Sequence, residues 1–120
     1  MRILIVESDA ALARIWRRHL ERQGAEVSVT QSEAEAVAAL DGASVDIIVL
    51  DLVLDGGGAF AVADVARYRH PAARVIFVTN TTFFSDGSIF HYIPNACAFL
   101  PTATPPEDLA AVIDHYSVGQ

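Results

Sequence analysis

The sequence predicts an α/β domain, a five-stranded parallel sheet with five helices distributed over both faces. Two observations carry this. The runs at 3–6, 45–50 and 75–78 are short, rich in β-branched residues and, Asp46 apart, continuously apolar, as expected for strands buried on both faces. Amphipathic stretches separate these runs in strict alternation, and that order specifies parallel strands joined by right-handed crossovers. An apolar fraction of 52% is enough for a full core.

Each element has a local reason. Strand one is Ile3-Leu4-Ile5-Val6. Leu12, Ile15, Trp16, His19 and Leu20 then follow the i, i+3, i+4 spacing of a helix, with Gly24 as its stop. Strand two is the weaker run 27–29. Ser32-Glu33-Ala34-Glu35 has capping-box form and opens a second helix that ends near Asp41-Gly42. Strand three, 45–50, leads through Gly56-Gly57-Gly58, a turn, into a helix over 60–69 that Pro71 stops. After strand four, 75–78, Gly87 and Pro94 leave room only for a short helix around 88–92. Strand five is 97–100. Pro105-Pro106-Glu107-Asp108 starts the last helix, with Leu109, Val112, Ile113 and Tyr116 on one face. Residues 1–120 are expected to form a single domain with no output domain.

Composition narrows the function. A net charge of −7 argues against a nucleic-acid binder, which needs a basic footprint. No apolar run approaches the ~20 residues that span a bilayer, so no membrane segment is expected. Cys97 is the sole cysteine, which rules out an internal disulfide and points to a reducing, cytoplasmic setting. All eight cations are arginines, and Arg14, Arg17, Arg18 and Arg22 fall in one short segment. That segment reads as a solvated helix face or a docking face for an acidic partner. Phe83, Phe84, Phe90, Tyr92 and Ile93 crowd the fourth helical stretch, marking it, with strand five and the last helix, as a candidate face for homodimer formation.

Ligands gather beyond the carboxyl ends of strands in an open parallel sheet. Glu7, Ser8 and Asp9 follow strand one, Asp51 follows strand three, Thr79 and Asn80 follow strand four, and Thr102 follows strand five. One rim thus collects an acidic pocket, Glu7 and Asp9 around Asp51. The triple glycine lacks the spacing of either nucleotide-binding fingerprint, and the histidines share no metal-binding spacing.

The chain resembles the receiver (response-regulator) domain of two-component signalling over essentially its full length. The residues that carry the resemblance are Ile3-Leu4-Ile5-Val6-Glu7, Ile47-Ile48-Val49-Leu50-Asp51-Leu52-Val53-Leu54, Val75-Ile76-Phe77-Val78-Thr79 and Ala96-Cys97-Ala98-Phe99-Leu100-Pro101, followed by Pro106-Glu107-Asp108-Leu109. The resemblance implies a flavodoxin-like receiver fold with strand order 2-1-3-4-5. It implies Asp51 as phospho-acceptor, Thr79 as switch hydroxyl and Phe99 as switch aromatic. It also implies Mg²⁺ held by Glu7, Asp51 and the Val53 carbonyl, and a histidine kinase or phosphotransfer protein as partner.

Two departures fall on the chemistry. Ser8 stands where the family has its second metal-holding aspartate. Thr102 stands where the family has a lysine, with Ala103 after it in place of proline, and the whole chain has no lysine. Phosphoryl transfer needs the charge on three equatorial oxygens neutralised, and Mg²⁺ binding is expected to be weak with a carboxylate replaced by a hydroxyl. Losing one well-aimed donor from such a site costs roughly 3–4 kcal/mol. Three functions compete: a receiver phosphorylated weakly at Asp51, a pseudo-receiver that signals by protein binding, and an aspartate-nucleophile phosphatase. The last needs a second aspartate two residues after the nucleophile, where Val53 stands, so no enzyme activity is expected.

Overall fold

Neighbouring residues of a strand point to opposite faces, so a run that is apolar throughout needs a layer of helices on each side. A computed structural model, which describes residues 1–42, 44–80 and 93–118, shows that arrangement. Its elements are β1 (Arg2–Val6), α1 (Ala10–Arg22), β2 (Glu26–Thr30), α2 (Glu33–Leu40), β3 (Ile47–Asp51), α3 (Ala59–Arg69), β4 (Arg74–Thr79), β5 (Ala96–Pro101) and α4 (Pro106–Val118). Every strand pair is parallel and the order is β2-β1-β3-β4-β5, as the resemblance implied. The described residues hold four helices rather than five; the short helix expected around 88–92 lies outside them.

The alternation builds two cores. Leu4, Val6, Ile48, Leu50, Val75 and Phe77 face α2 and α3, meeting Ala36, Leu40, Val62, Ala63 and Ala66. Ile3, Ile5, Ile47, Val49, Ile76 and Val78 face α1 and α4, meeting Trp16, Leu20, Leu109 and Ile113. On α1 the inward stripe is Ala13, Trp16 and Leu20, whereas Ile15, expected on that face, is 53% exposed.

Caps set where the helices begin. Asp9 accepts from the Ala11 and Leu12 N–H groups at 3.0 and 3.2 Å and so opens α1. Ser32 Oγ accepts from the Glu35 N–H at 3.2 Å, while Glu35 Oε1 accepts from the Gln31 N–H at 2.9 Å. The Gly56-Gly57-Gly58 turn ends with Gly58 at φ +96°, and a Cβ there would run into the Glu33 side chain. That close approach seats the start of α3 against α2. At their far ends the His70 Nε2–H donates to the Leu40 carbonyl at 2.8 Å, and Arg69 pairs with Asp41.

Register positions the rim. Val6 lies opposite Leu50, and Asp51 opposite Val78, so the central strands end level. β3 starts at Ile47 instead of 45, because Asp46 turns its carboxylate to the Arg2 N–H at 2.8 Å before the strand begins. Asp51 is therefore the last residue of β3. The β4–β5 ladder steps from Val75↔Ala96 to Ile76↔Ala98, a bulge at Cys97 that brings Phe99 opposite Phe77.

Candidate functional site

Beyond the carboxyl ends of the strands lies a cavity of about 300 Å³. Glu7, Ser8 and Asp9 from the turn after β1, Asp51, Val53 and Asp55 at the end of β3, and Asn80 and Thr102 after β4 and β5 line it. A larger cavity of about 410 Å³ sits between α3 and Ile93, Pro94 and Asn95. Its polar groups already serve one another or the backbone: Arg67 pairs with Asp64, and Asn95 donates to the Ala63 carbonyl. The chemistry belongs to the rim.

Glu7 is the buried member, only 3% exposed. Its Oε2 accepts from the Asp9 N–H at 3.0 Å, while Oε1 is buried with no hydrogen-bond partner. Burial pushes the Glu7 pKa up to about 7; the Asp9 N–H opposes the rise, while a side-chain hydrogen bond through the Glu7 proton to Asp51 and the charges of Asp51 and Asp9 add to it. Asp51 is half-buried, and its Oδ1 accepts from the Val53 N–H at 3.0 Å, a local turn that fixes the carboxylate.

The other predicted positions divide. Asp9 lines the cavity, but its Oδ1 is committed to capping α1. Ser8 does not stand idle: its Oγ accepts from the Asp55 N–H at 2.9 Å and donates to the Gln31 carbonyl at 3.4 Å. It ties the β1–α1 turn to the loop after β3. Thr102 is half-buried at the mouth, and its N–H donates to the Thr79 carbonyl at 2.9 Å. Thr79, 7% exposed, and Phe99 stand outside the cavity lining. Phe99 stacks on Phe77 with ring centroids 5.1 Å apart and planes at 12°. The surface expected from Phe83 to Tyr92 lies outside the described residues.

Sequence reasoning missed the Ser8–Asp55 tie, which joins positions far apart in the chain and has no local signal. It also missed the cap made by Asp9, which was placed only in the acidic pocket, although an aspartate just before an amphipathic stretch is a preferred N-cap.

The donors decide what cation fits. Among the described residues no group of three or more His, Cys, Asp or Glu is placed to hold a metal. With Asp9 capping a helix and Ser8 bridging two loops, the lining keeps Glu7 Oε1 and Asp51, the Val53 position that the resemblance implies, and beside these three the Asp55 carboxylate. Mg²⁺ takes one or two carboxylates and completes its octahedron with water and phosphate oxygens, so these three positions fit a weakly held ion.

The family model described as the response regulator receiver domain matches residues 3–100. The chain belongs to that family. The receiver is 33% identical over 79 residues to the transcriptional regulatory protein TcrA of Mycobacterium tuberculosis, covering 66% of this chain and 31% of TcrA. It is 35% identical over 78 residues to the alginate biosynthesis transcriptional regulatory protein AlgB of Pseudomonas putida, covering 65% of this chain and 17% of AlgB. The matched stretch thus spans about a third or less of these relatives. In fold the receiver is similar to a CheY-like receiver domain protein from Methanospirillum hungatei, with TM-score 0.84 at 22% identity, over 99% of this chain and 98% of that one. It is also similar to the response regulator TrrA of Thermotoga maritima, solved in complex with Mg²⁺ and BeF, with TM-score 0.81 at 18% identity, over 96% and 97% of the two chains. Among the described residues no helix is long and apolar enough to cross a membrane.

Proposed function

We propose that this receiver accepts a phosphoryl group on Asp51, slowly, from a histidine kinase or phosphotransfer protein. The observation that carries the reading is Asp51 at the end of β3, half-buried and aimed into a cavity shared with a buried, unpartnered Glu7 oxygen. With Oδ1 held by the Val53 N–H, the other carboxylate oxygen attacks phosphorus. The P–N bond to the donor histidine breaks, a P–O bond to Asp51 forms, and the histidine nitrogen keeps the electron pair. Glu7, Asp51 and the Val53 carbonyl would hold Mg²⁺, which supplies part of the neutralisation that phosphoryl oxygens need. Thr102 offers the product a hydroxyl but no charge, so the acyl phosphate is poorly compensated. Thr79 and Phe99 then carry the switch.

The domain acts as acceptor rather than enzyme, since Val53 occupies the place a hydrolytic carboxylate would need. A cytoplasmic location suits such donors. TcrA and AlgB are transcriptional regulatory proteins, and we place this receiver upstream of gene control, with its acidic surface making no nucleic-acid contact of its own.

Mass spectrometry after exposure to a small phosphodonor with Mg²⁺ tests the reading: partial labelling confined to Asp51 is expected, and none in Asp51→Asn. A second reading, the phosphorylation-independent pseudo-receiver, is favoured by Ser8, whose hydroxyl is built into the loop framework. Complete absence of label would select it.

A further inference from the structure

We propose that Asp55, its N–H held by Ser8 Oγ, supplies the rim with the carboxylate that position 8 lacks and receives a water bound to Mg²⁺. Resting on the proposed function for the metal alone, this role requires no phosphorylation.

Glu7, Asp9, Asp51 and Asp55 line the cavity. Three of them commit an oxygen to the protein itself: Glu7 Oε2 to the Asp9 N–H, Asp9 Oδ1 to the cap of α1, and Asp51 Oδ1 to the Val53 N–H. The Asp55 carboxylate has no hydrogen bond or ion pair among the described residues. An exposed carboxylate can be served by water, so this freedom alone marks nothing. What sets Asp55 apart is how firmly its backbone is placed.

Ser8 Oγ accepts from the Asp55 N–H at 2.9 Å and donates to the Gln31 carbonyl, so the hydroxyl that holds Asp55 is itself anchored. On the other side, the Gly57 N–H donates to the Leu54 carbonyl at 2.9 Å and closes a turn with Asp55 second and Gly56 third. Gly56 has φ +81°, as the third residue of a type II turn requires. Leu54, the first residue of that turn, is buried in the core. A core side chain, a turn and a bond between loops thus fix Asp55, and all three leave its carboxylate free. The bond to Ser8 uses the Asp55 main chain, and it brings to position 8 a residue whose side chain ends in the missing group. The acid absent from the turn after β1 is regained from the loop after β3.

Mg²⁺ dehydrates reluctantly, and it is bound through one or two carboxylates while keeping several waters. Among the described residues no three acidic side chains are placed to hold a metal directly, so Asp55 acts one water out from the ion. A carboxylate that accepts from such a water makes a charge-assisted bond and orients the inner shell.

The test titrates Mg²⁺ into the full chain at constant ionic strength, followed by amide NMR. Asp55→Asn keeps the N–H and the turn, and should weaken binding about tenfold, the lower end of what losing such an outer partner costs. Glu26→Gln, at the opposite end of the sheet, should leave the affinity unchanged and controls for net charge. Ser8→Ala releases Asp55 and should weaken binding by itself, with Asp55→Asn adding little to that loss. In Ser8→Asp, where position 8 carries its own carboxylate, the loss from Asp55→Asn should shrink. Equal affinity in wild type and Asp55→Asn overturns the proposal, as does an equal loss in Glu26→Gln or a wild type without saturable binding. Fully additive losses in the Ser8→Ala pair, or an undiminished loss in the Ser8→Asp pair, overturn it too. Thermal melts check folding, and Asp55→Asn decides alone should Ser8→Ala fail to fold. Metal binding that depends on Asp55, without Asp51 labelling, would sink the phosphoacceptor reading and keep this one. Labelling with equal metal affinity in Asp55→Asn does the reverse.

Discussion

Glu7 sets the electrostatics of the rim because it is buried, bonded through one oxygen and surrounded by like charge. Its proton is held more tightly in the folded protein, up to about 7, than in the unfolded chain, near 4.5. The contribution to stability is therefore fully present below about pH 4.5 and lost as pH rises through 7. Glu7→Gln, which keeps the shape and adds an N–H donor toward Asp51, should raise Tm by several degrees at pH 8 in chelator, on the order of 2 kcal/mol. At pH 4.5 the gain should vanish, and a gain independent of pH would show that burial of charge is not its cause. Ser8 poses a different question at the same scale. Ser8→Ala leaves the Asp55 N–H without its acceptor and should cost about 1 kcal/mol by denaturant melts. Ser8→Asp keeps an acceptor there and adds a carboxylate, so calorimetry should show Mg²⁺ bound several-fold more tightly. Equal affinity would remove position 8 from the metal site. Asp51 and Glu7 were legible because a strand end and a hydrophobic run announce them. The double use of Ser8 was not, because Asp55 and Gln31 reach it only through the fold.

At the scale of elements, the two helix starts on the rim depend on different devices. The α1 cap needs a side-chain oxygen at position 9 but not a charge. Asp9→Ala should cost about 1 kcal/mol, and Asp9→Asn only a few tenths. Equal losses in the two variants would place the value of Asp9 in its charge. The α3 start depends on backbone freedom, since Gly58 sits at φ +96° with Glu33 where a Cβ would go. Gly58→Ala should destabilise by more than about 1 kcal/mol; Glu33→Ala in the same chain should recover part of that, because it removes the clash but not the positive φ. Capping boxes and glycine turns read well from sequence because their signals span few residues. Ile15 read wrongly: apolar residues at helical spacing mark a face only when every member turns inward, and Ala13 took the inward place. The bulge at Cys97 was also illegible, because a one-residue slip in the β4–β5 register leaves the apolar run unchanged.

For the whole molecule, continuous apolar runs dictated two helix layers, and the resemblance supplied the strand order that the pairing shows. Charge is distributed unevenly over that frame. The outer face of α1 exposes Arg14, Arg17, Arg18 and Arg22, while the sheet rim concentrates carboxylates. Such segregation suits a domain that meets partners on more than one side. Asp51 is proposed to accept a phosphoryl group in a pocket short of cations. Labelling rates with a small phosphodonor and Mg²⁺ test it most directly, comparing wild type with the double variant Ser8→Asp, Thr102→Lys and using Asp51→Asn as blank. Labelling at Asp51 is expected in both, at least about a hundredfold faster in the double variant, the lower end of the effect one well-aimed donor has in such a site. A wild type that labels as fast as the double variant, or label that persists in Asp51→Asn, would contradict it.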